Sequence, residues 1–342
     1  MYLRNALAPG LLVLGLSVAP GPLPGDPAGA PSGRLTPFDL EAHRGGRALR
    51  PENTLPAFAN ALSMGVDTLE LDMGVTGDAV VVVSHERGLN PELARGPDGQ
   101  YVTAPGTPYV RLTLQQVERY DVGQIRPGSA YAAEFPEQRA MPGTRIPTLA
   151  EVIGLVRRSG DRHVRLNIET KIDPAHPDES PDPVHFVAAV LAVLHREDFS
   201  NRVMIESFDW RTLQLVQKQA PRIPTVYLTQ RAEPDPNIYS DKASPWTAGF
   251  DPRDYGGSVP RTVKAAGGAI WSPYYGDVDR QSIAEAHDLG LPVVVWTVNR
   301  PEDMARLIDL GVDGIISDRP DLLRAQAAQK GIRLPPPAPV SP

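Results

Sequence analysis

The sequence predicts an α/β protein, a closed (β/α)8 TIM barrel with an insertion between strands 2 and 3. Eight short apolar runs that are typical of strands alternate along the chain with amphipathic helical stretches. This alternation implies parallel strands joined by right-handed crossovers, and eight copies of one unit favour closure into a barrel. An open doubly wound sheet is the alternative.

Each predicted strand is short and is followed by a helical pattern. The strands cover residues 38–43, 68–75, 163–170, 203–208, 225–229, 269–272, 292–298 and 314–317. The helices cover residues 54–64, 148–158, 183–195, 210–219, 259–266, 279–289, 301–310 and 320–328. Helix ends are marked by a capping box at Thr148 and Glu151 and by glycines in "MGVD", "LGLP" and "LGVDG".

One long segment rich in Gly, Pro and polar residues interrupts the alternation. Residues 87–145 separate strands 2 and 3, and a loop that long in a compact domain is usually functional or disordered. We interpret it as an insertion over one mouth of a barrel domain at residues 35–330, with a short helix at residues 112–120. The Pro-rich end at residues 331–342 is expected to have no core to join.

Composition excludes several classes of function. The chain has 342 residues, 22% charged and 41% hydrophobic, which is globular, and its net charge of -7 offers no basic surface for nucleic acid. The absence of cysteine excludes a disulfide, a thiolate metal site, a catalytic thiol and a lipoprotein anchor. Carboxylate and imidazole chemistry remains.

Residues 1–34 have the features of a leader and a Pro-rich linker. Arg4 precedes an apolar run at residues 6–18 that is too short to span a bilayer. We therefore expect a signal peptide and a periplasmic or secreted protein without a stable membrane span, unless the leader stays uncleaved and anchors the chain. A disordered Pro-rich tail is the alternative.

Carboxylates cluster at the ends of the second and third predicted strands. Glu70 and Asp72 alternate along one strand and share a face, as do Glu169 and Lys171 on the next. Three converging carboxylates resist joint ionisation unless a cation neutralises them. An oxygen-rich set of this kind suits Mg²⁺ or Ca²⁺.

Two histidines and two cations accompany these acids. His43 ends the first strand and His85 follows the hairpin after the second, so that imidazoles able to give and take protons flank the acids. Arg44 and Lys171 can grip an anion. The combination indicates phosphoryl chemistry. Glu52 could belong to this set or could respond to the dipole of the following helix.

The blocks that carry these residues resemble the glycerophosphodiester phosphodiesterase family over about residues 38–325. They are "HRGGRALRPENTLPAFANALSMGVDTLELDMGVTGDAVVVVSHE", "NIETK", "ESFDW" and "VVVWTVNRPEDMARLIDLGVDGIISDRPDLL". The resemblance implies a (β/α)8 barrel that hydrolyses glycerophosphodiesters to sn-glycerol 3-phosphate and an alcohol. It also implies attack by the glycerol hydroxyl of the substrate and a cyclic phosphate that water opens.

The resemblance also implies a role for each candidate residue. It implies a divalent cation bound by Glu70, Asp72 and Glu169, with Glu52 in or beside the metal site. It implies that His43 and His85 are the acid–base pair. It also implies that Arg44 and Lys171 bind the phosphate and that Trp296 lines the substrate pocket. Two positions depart from the family pattern: Glu86 stands where Asp is usual, and Glu206 where a small residue is common. The alternatives are a phosphodiesterase acting on lysophospholipids or other organophosphate diesters, and a non-catalytic barrel that binds phosphodiesters.

Overall fold

The computed structural model describes residues 38–342 and contains the predicted barrel. The predicted leader at residues 1–34 lies outside the described residues. The strands are β1 (Asp39–Ala42), β2 (Thr68–Val75), β3 (Val81–Val83), β4 (Arg165–Thr170), β5 (Val203–Ser207), β6 (Thr225–Thr229), β7 (Ile270–Pro273), β8 (Val294–Val295) and β9 (Gly314–Ser317). All pair in parallel except β3, which runs antiparallel to β2.

The strand order is β7-β6-β5-β4-β2-β1-β9-β8, and contacts between its two ends close the sheet. Two single bridges, Trp271–Val293 and Tyr274–Trp296, join β7 to the chain around β8. The closed barrel is therefore confirmed over the open sheet. The carboxyl ends of all eight parallel strands surround one mouth, which is where barrel enzymes carry their functional side chains.

The helices follow the strands as predicted and pack outside the barrel. They are α1 (Leu55–Met64), α2 (Leu114–Val117), α3 (Ala130–Glu134), α4 (Leu149–Arg158), α5 (Pro183–Arg196), α6 (Trp210–Gln219), α7 (Val259–Ala265), α8 (Arg280–Asp288), α9 (Pro301–Leu310) and α10 (Pro320–Gln329). The capping box at the start of α4 is present. Among residues 38–342, no helix combines the length and apolar character needed to cross a bilayer.

The alternation of side chains along each strand separates two regions of the barrel. In β5, Ile205 packs into the large apolar cluster under the helices, whereas Met204 belongs to a small cluster inside the barrel. Glu206 has the same parity as Met204 and is only 2% exposed. The amide of Asn167 donates hydrogen bonds to Glu206 (2.6 Å) and to Glu41 (3.1 Å). The barrel interior therefore contains further buried carboxyl groups, those of Glu206 and Glu41.

The long segment between β3 and α4 builds an apolar cluster of its own. Tyr109 is 1% exposed in this cluster, and its hydroxyl donates to the Ser84 hydroxyl at 2.9 Å. The helix expected at residues 112–120 is limited to the four residues of α2, while α3 was not anticipated. This packing orders the segment and places its side chains beside the strand ends.

The C-terminal segment contradicts the expectation that it has no core to join. Ile332, Leu334 and Val340 pack against the main apolar cluster, and the backbone N–H of Ala338 donates to the Leu62 carbonyl at 2.8 Å. Gly65, with φ +85°, lets the segment pass closely, because a Cβ there would lie 2.6 Å from the Pro335 carbonyl oxygen. The prolines restrict the backbone of this segment to an extended conformation, in which it packs along the end of α1.

Deleting residues 331–342 should destabilise the barrel. Each of the three apolar side chains is partly buried, and full burial of such a side chain contributes about 1.5–3 kcal/mol. We expect a loss of about 2 kcal/mol, measured as a lower midpoint of thermal unfolding. Removal of residues 341–342 alone, both exposed, is the control. Equal midpoints for the full chain and the long deletion would contradict this account.

Candidate active site

Three carboxylates from neighbouring strands meet at the carboxyl mouth of the barrel. Glu70 and Asp72 are on β2, and Glu169 on β4 lies opposite Asp72 in the strand pairing. One carboxylate oxygen from each lies within 4.8 Å of the others, and all three side chains are buried. Asp72 Oδ1 has no hydrogen-bond partner although it is buried. An unsatisfied buried anionic oxygen within an all-oxygen set fits the requirements of a divalent cation.

Two cationic side chains lie against this acidic triad of Glu70, Asp72 and Glu169. The ammonium of Lys171 is 2.9 Å from Glu169 Oε1 and 3.8 Å from Asp72 Oδ1. The turn after β1 brings in Arg44, whose backbone N–H donates to Glu70 Oε2 at 2.7 Å and whose Nε is 3.4 Å from Asp72 Oδ2. These contacts reduce the repulsion among the carboxylates.

The pKa shifts of the three carboxyl groups show that repulsion and burial oppose the ionisation of two of them. Burial and the neighbouring charge of Asp72 raise the pKa of Glu70 well above its usual range. Burial also raises the pKa of Glu169 to about 7, against the opposing charge of Lys171. Asp72 is different: burial raises its pKa, but the protonated form of His85 together with Arg44 and Lys171 outweighs burial and lowers it. A bound cation would allow all three to ionise together.

Both predicted histidines face the same mouth, each with a carboxylate on its Nδ1. His43 Nδ1 is 2.6 Å from Asp318 Oδ1, and His85 Nδ1 is 2.8 Å from Glu86 Oε1. Burial lowers the pKa of His43, although Asp318 opposes this shift. Burial, together with the charges of Arg44 and Lys171, lowers the pKa of His85 to about 4. The lowered pKa values favour neutral rings near pH 7, in which Nδ1–H donates to the carboxylate. Nε2 of His43 then lies 3.9 Å from Glu70 Oε2.

Asp318 is a site residue that the sequence reasoning missed. It directly follows β9 and is 1% exposed. It accepts hydrogen bonds from Arg47 at 2.7 Å and from Asn299 at 2.7 Å in addition to that from His43. The contacts of Asp318 with His43 and Arg47 hold its pKa low against the effect of burial. The signal was available, since "SDRP" places an acid at the end of the last strand.

The remaining predicted residues lie around the triad. Glu52 is behind Arg44, from which it accepts a hydrogen bond at 2.8 Å, and it also accepts one from the Tyr131 hydroxyl. Asn53, which the sequence reasoning also missed, donates to Asp72 Oδ2 at 2.8 Å. Trp296 donates from its ring nitrogen to the Ser272 carbonyl at 2.9 Å. Glu52 therefore contacts Arg44 and Tyr131 rather than the triad.

A cavity of about 200 Å³ at the mouth unites most of these groups. Its walls include His43, Arg44, Glu70, His85, Glu169, Glu206, Phe208 and Trp296. Phe208 and Trp296 meet edge to face at 5.2 Å between ring centroids, so that the cavity has an aromatic surface as well as charged groups. Glu206, one of the two departures from the family pattern, thus lines the cavity. The other, Glu86, is the partner of His85.

The fold and this set of side chains define a TIM-barrel hydrolase. The model of the Glycerophosphoryl diester phosphodiesterase family matches residues 43–322, and the chain belongs to that family. It is 29% identical over 287 residues to the glycerophosphodiester phosphodiesterase of Caldanaerobacter subterraneus subsp. tengcongensis, covering 82% of this chain and 94% of that protein. Hydrolysis of glycerophosphodiesters is the activity that the family and these relatives support.

Solved structures share the fold. One, provisionally described as a glycerophosphoryl diester phosphodiesterase from Silicibacter pomeroyi DSS-3, is 36% identical with a TM-score of 0.78, over 89% of this chain and 98% of that chain. Another is an Oleispira antarctica phosphodiesterase in complex with the product sn-glycerol-3-phosphate. It is 22% identical with a TM-score of 0.61, over 85% of this chain and 96% of that chain.

Replacing Glu70 with Gln should weaken divalent metal binding. The change keeps the shape of the side chain but removes one of three clustered carboxylates, so affinity should fall by about tenfold or more. Calorimetric titration of EDTA-treated protein with Ca²⁺ and with Mg²⁺ measures it. Glu206→Gln, which removes a carboxyl from the same cavity but outside the triad, is the matched control. Identical titrations for wild type and Glu70→Gln would exclude Glu70 as a ligand.

Replacing Asp318 with Asn should lower the pKa of His43. The carboxylate stabilises the imidazolium, and its loss leaves burial, Arg44 and Arg47 to shift the pKa further down. Histidine titration by NMR measures the shift. Asp173→Asn removes the carboxylate that contacts His176 at 2.9 Å and should leave His43 unchanged. A raised or constant His43 pKa in Asp318→Asn would show that Asp318 does not act on this ring.

Proposed function

We propose that this chain hydrolyses glycerophosphodiesters to sn-glycerol 3-phosphate and an alcohol, with His43 and His85 as the acid–base pair. The observation that carries the proposal is the presence of two imidazoles at one cavity, each held at Nδ1 by its own carboxylate. This contact fixes the tautomer, so that Nε2 of each ring is available for proton transfer. A reaction with two proton transfers accounts for the presence of this arrangement twice.

The other residues would serve the phosphate. Arg44 and Lys171 place positive charge beside the triad, and Arg44 Nε, although 3.4 Å from Asp72 Oδ2, donates no hydrogen bond there and has a donor to offer to a phosphate oxygen. One histidine would take the proton of the attacking glycerol hydroxyl, and the other would protonate the departing oxygen. Water then opens the cyclic phosphate with the two roles exchanged.

Glu70, Asp72 and Glu169 would hold the divalent cation, for which Ca²⁺ and Mg²⁺ both suit the oxygen ligands. When bound, such a cation polarises a phosphate oxygen and shields the charge that develops on it. The Oleispira antarctica phosphodiesterase, with sn-glycerol-3-phosphate in its complex, supports a product of this kind for the shared fold. Trp296 and Phe208 would pack against the glycerol carbons.

Two alternatives remain distinguishable by experiment. A phosphodiesterase for lysophospholipids or other organophosphate diesters would use the same groups with a different alcohol, which the segment at residues 87–145 would accommodate. A non-catalytic phosphodiester-binding barrel is disfavoured, because it has no use for two imidazoles with fixed tautomers. The apolar run near the N-terminus supports export to the periplasm or beyond, which fractionation of cells that express the full chain would test.

Purified protein without residues 1–34 should release glycerol 3-phosphate from glycerophosphocholine and glycerophosphoethanolamine. A coupled dehydrogenase measures the release, in the presence of Ca²⁺, Mg²⁺ or EDTA. EDTA should abolish the release and one of the metals should restore it. Cleavage of only a lysolipid or an aryl diester would favour the first alternative, and no cleavage of any diester would favour the binding protein.

His43→Ala and His85→Ala should each lower kcat by about 10²-fold or more, since each removes a general acid or base. His287→Ala is the matched control, because this histidine pairs with Asp313 at 2.8 Å away from the cavity and is partly exposed. Full activity in His85→Ala would exclude its assigned role.

A further inference from the structure

A second and larger cavity of about 500 Å³ lies next to the catalytic cavity. Arg44, Arg47 and His85 line both, so the imidazole stands at the boundary between them. The phosphorus of a bound diester would lie at this boundary, with its two ester groups on opposite sides. The smaller cavity suffices for the compact glycerol end, which leaves the larger one to the alcohol. Its volume is in the range of ordinary small-molecule sites.

Most of this larger cavity is built by the segment that follows β3. Its walls include the apolar side chains of Leu89, Pro91, Pro105, Pro108 and Tyr131. The pyrrolidine rings, the Leu89 side chain and the ring face of Tyr131 present hydrocarbon surface to the cavity. They suit short alkyl or methylated groups.

The arginines of the cavity are already neutralised. Each is in contact with a carboxylate: Arg44 with Glu52 at 2.8 Å, Arg47 with Asp318 at 2.7 Å, and Arg87 with Glu179 at 2.6 Å. Arg44 is assigned to the phosphate, so an anionic alcohol would meet only Arg47 and Arg87, whose charges are already paired.

Two carboxylates of the cavity lack such a partner. Within residues 38–342, neither Glu86 nor Glu92 has a Lys or Arg nitrogen within 4.0 Å, and the only ionisable contact of Glu86 is the neutral His85 ring. Glu92 Oε2 is buried and has no hydrogen-bond donor. The cavity thus presents unbalanced negative charge among apolar walls, which is the environment that binds an organic ammonium group.

We propose that this cavity receives the alcohol half of the substrate and that Glu92, with Glu86, selects alcohols that carry a positive charge. The choline and ethanolamine groups belong to this class. The selection rests on the function proposed above, because it concerns the alcohol that the same site releases. Glu92 acts on specificity alone, whereas Glu86 also holds the His85 ring and cannot report on specificity cleanly.

The test compares kcat/KM for glycerophosphocholine with that for glycerophosphoglycerol, whose leaving alcohol is uncharged. Wild-type protein should favour the choline ester by about tenfold, the usual effect of one well-placed charge pair. Glu92→Gln, which keeps the shape of the side chain, should reduce this ratio to near one. Glu134→Gln, an exposed acid at the end of α3 that does not line the cavity, should leave the ratio unchanged.

The ratio separates failure of this inference from failure of the proposed function. Turnover of both esters with equal kcat/KM, or a ratio that Glu92→Gln does not alter, would overturn the assignment of the cavity and leave glycerophosphodiester hydrolysis intact. No turnover of either ester would overturn both. A ratio that falls in Glu92→Gln and stays high in Glu134→Gln would establish Glu92 as a determinant of specificity.

Discussion

Repulsion among buried carboxylates at one end of the barrel is the constraint on which the rest of the site depends. Glu70, Asp72 and Glu169 lie within a few ångströms of one another in surroundings with little water, where like charges interact strongly. The neighbouring structure responds with Lys171, with the side chain of Arg44 and with its backbone N–H. The conformation of the turn after β1 is therefore stabilised by the contacts of Arg44 with the carboxylates.

The same balance explains why the imidazoles are uncharged. The cations that stabilise the triad also stand near His43 and His85 and disfavour a further positive charge there, and burial acts in the same direction. Asp318 and Glu86 then decide which ring nitrogen carries the proton. The ionisation of the triad, the protonation of the two imidazole rings and their tautomers thus depend on the same neighbouring charges. A change at any of them alters the others.

Much of this could be predicted because it depends on short-range pattern. Alternation along β2 places Glu70 and Asp72 on one face, and the repeated strand–helix order leads to a closed barrel whose strand ends share a mouth. The pattern places an acid at the end of the last strand, but it does not show that Asp318 meets His43, because this hydrogen bond joins residues 275 positions apart through the pairing of β1 with β9. The C-terminal segment was misjudged because a Pro-rich composition does not reveal a complementary surface on α1.

The hydrogen bonding around the barrel is unequal, and this has a dynamic consequence. β2 and β4 pair over six residues, whereas β8 contains two and reaches β7 only through isolated bridges. Where few backbone hydrogen bonds hold neighbouring strands, local opening requires less free energy than global unfolding, and amide hydrogens there exchange sooner. Trp296 follows β8 directly. The aromatic wall of the cavity at the mouth therefore borders the side of the barrel where β7 and β8 are joined only by isolated bridges. The acidic triad lies on β2 and β4, which pair over six residues.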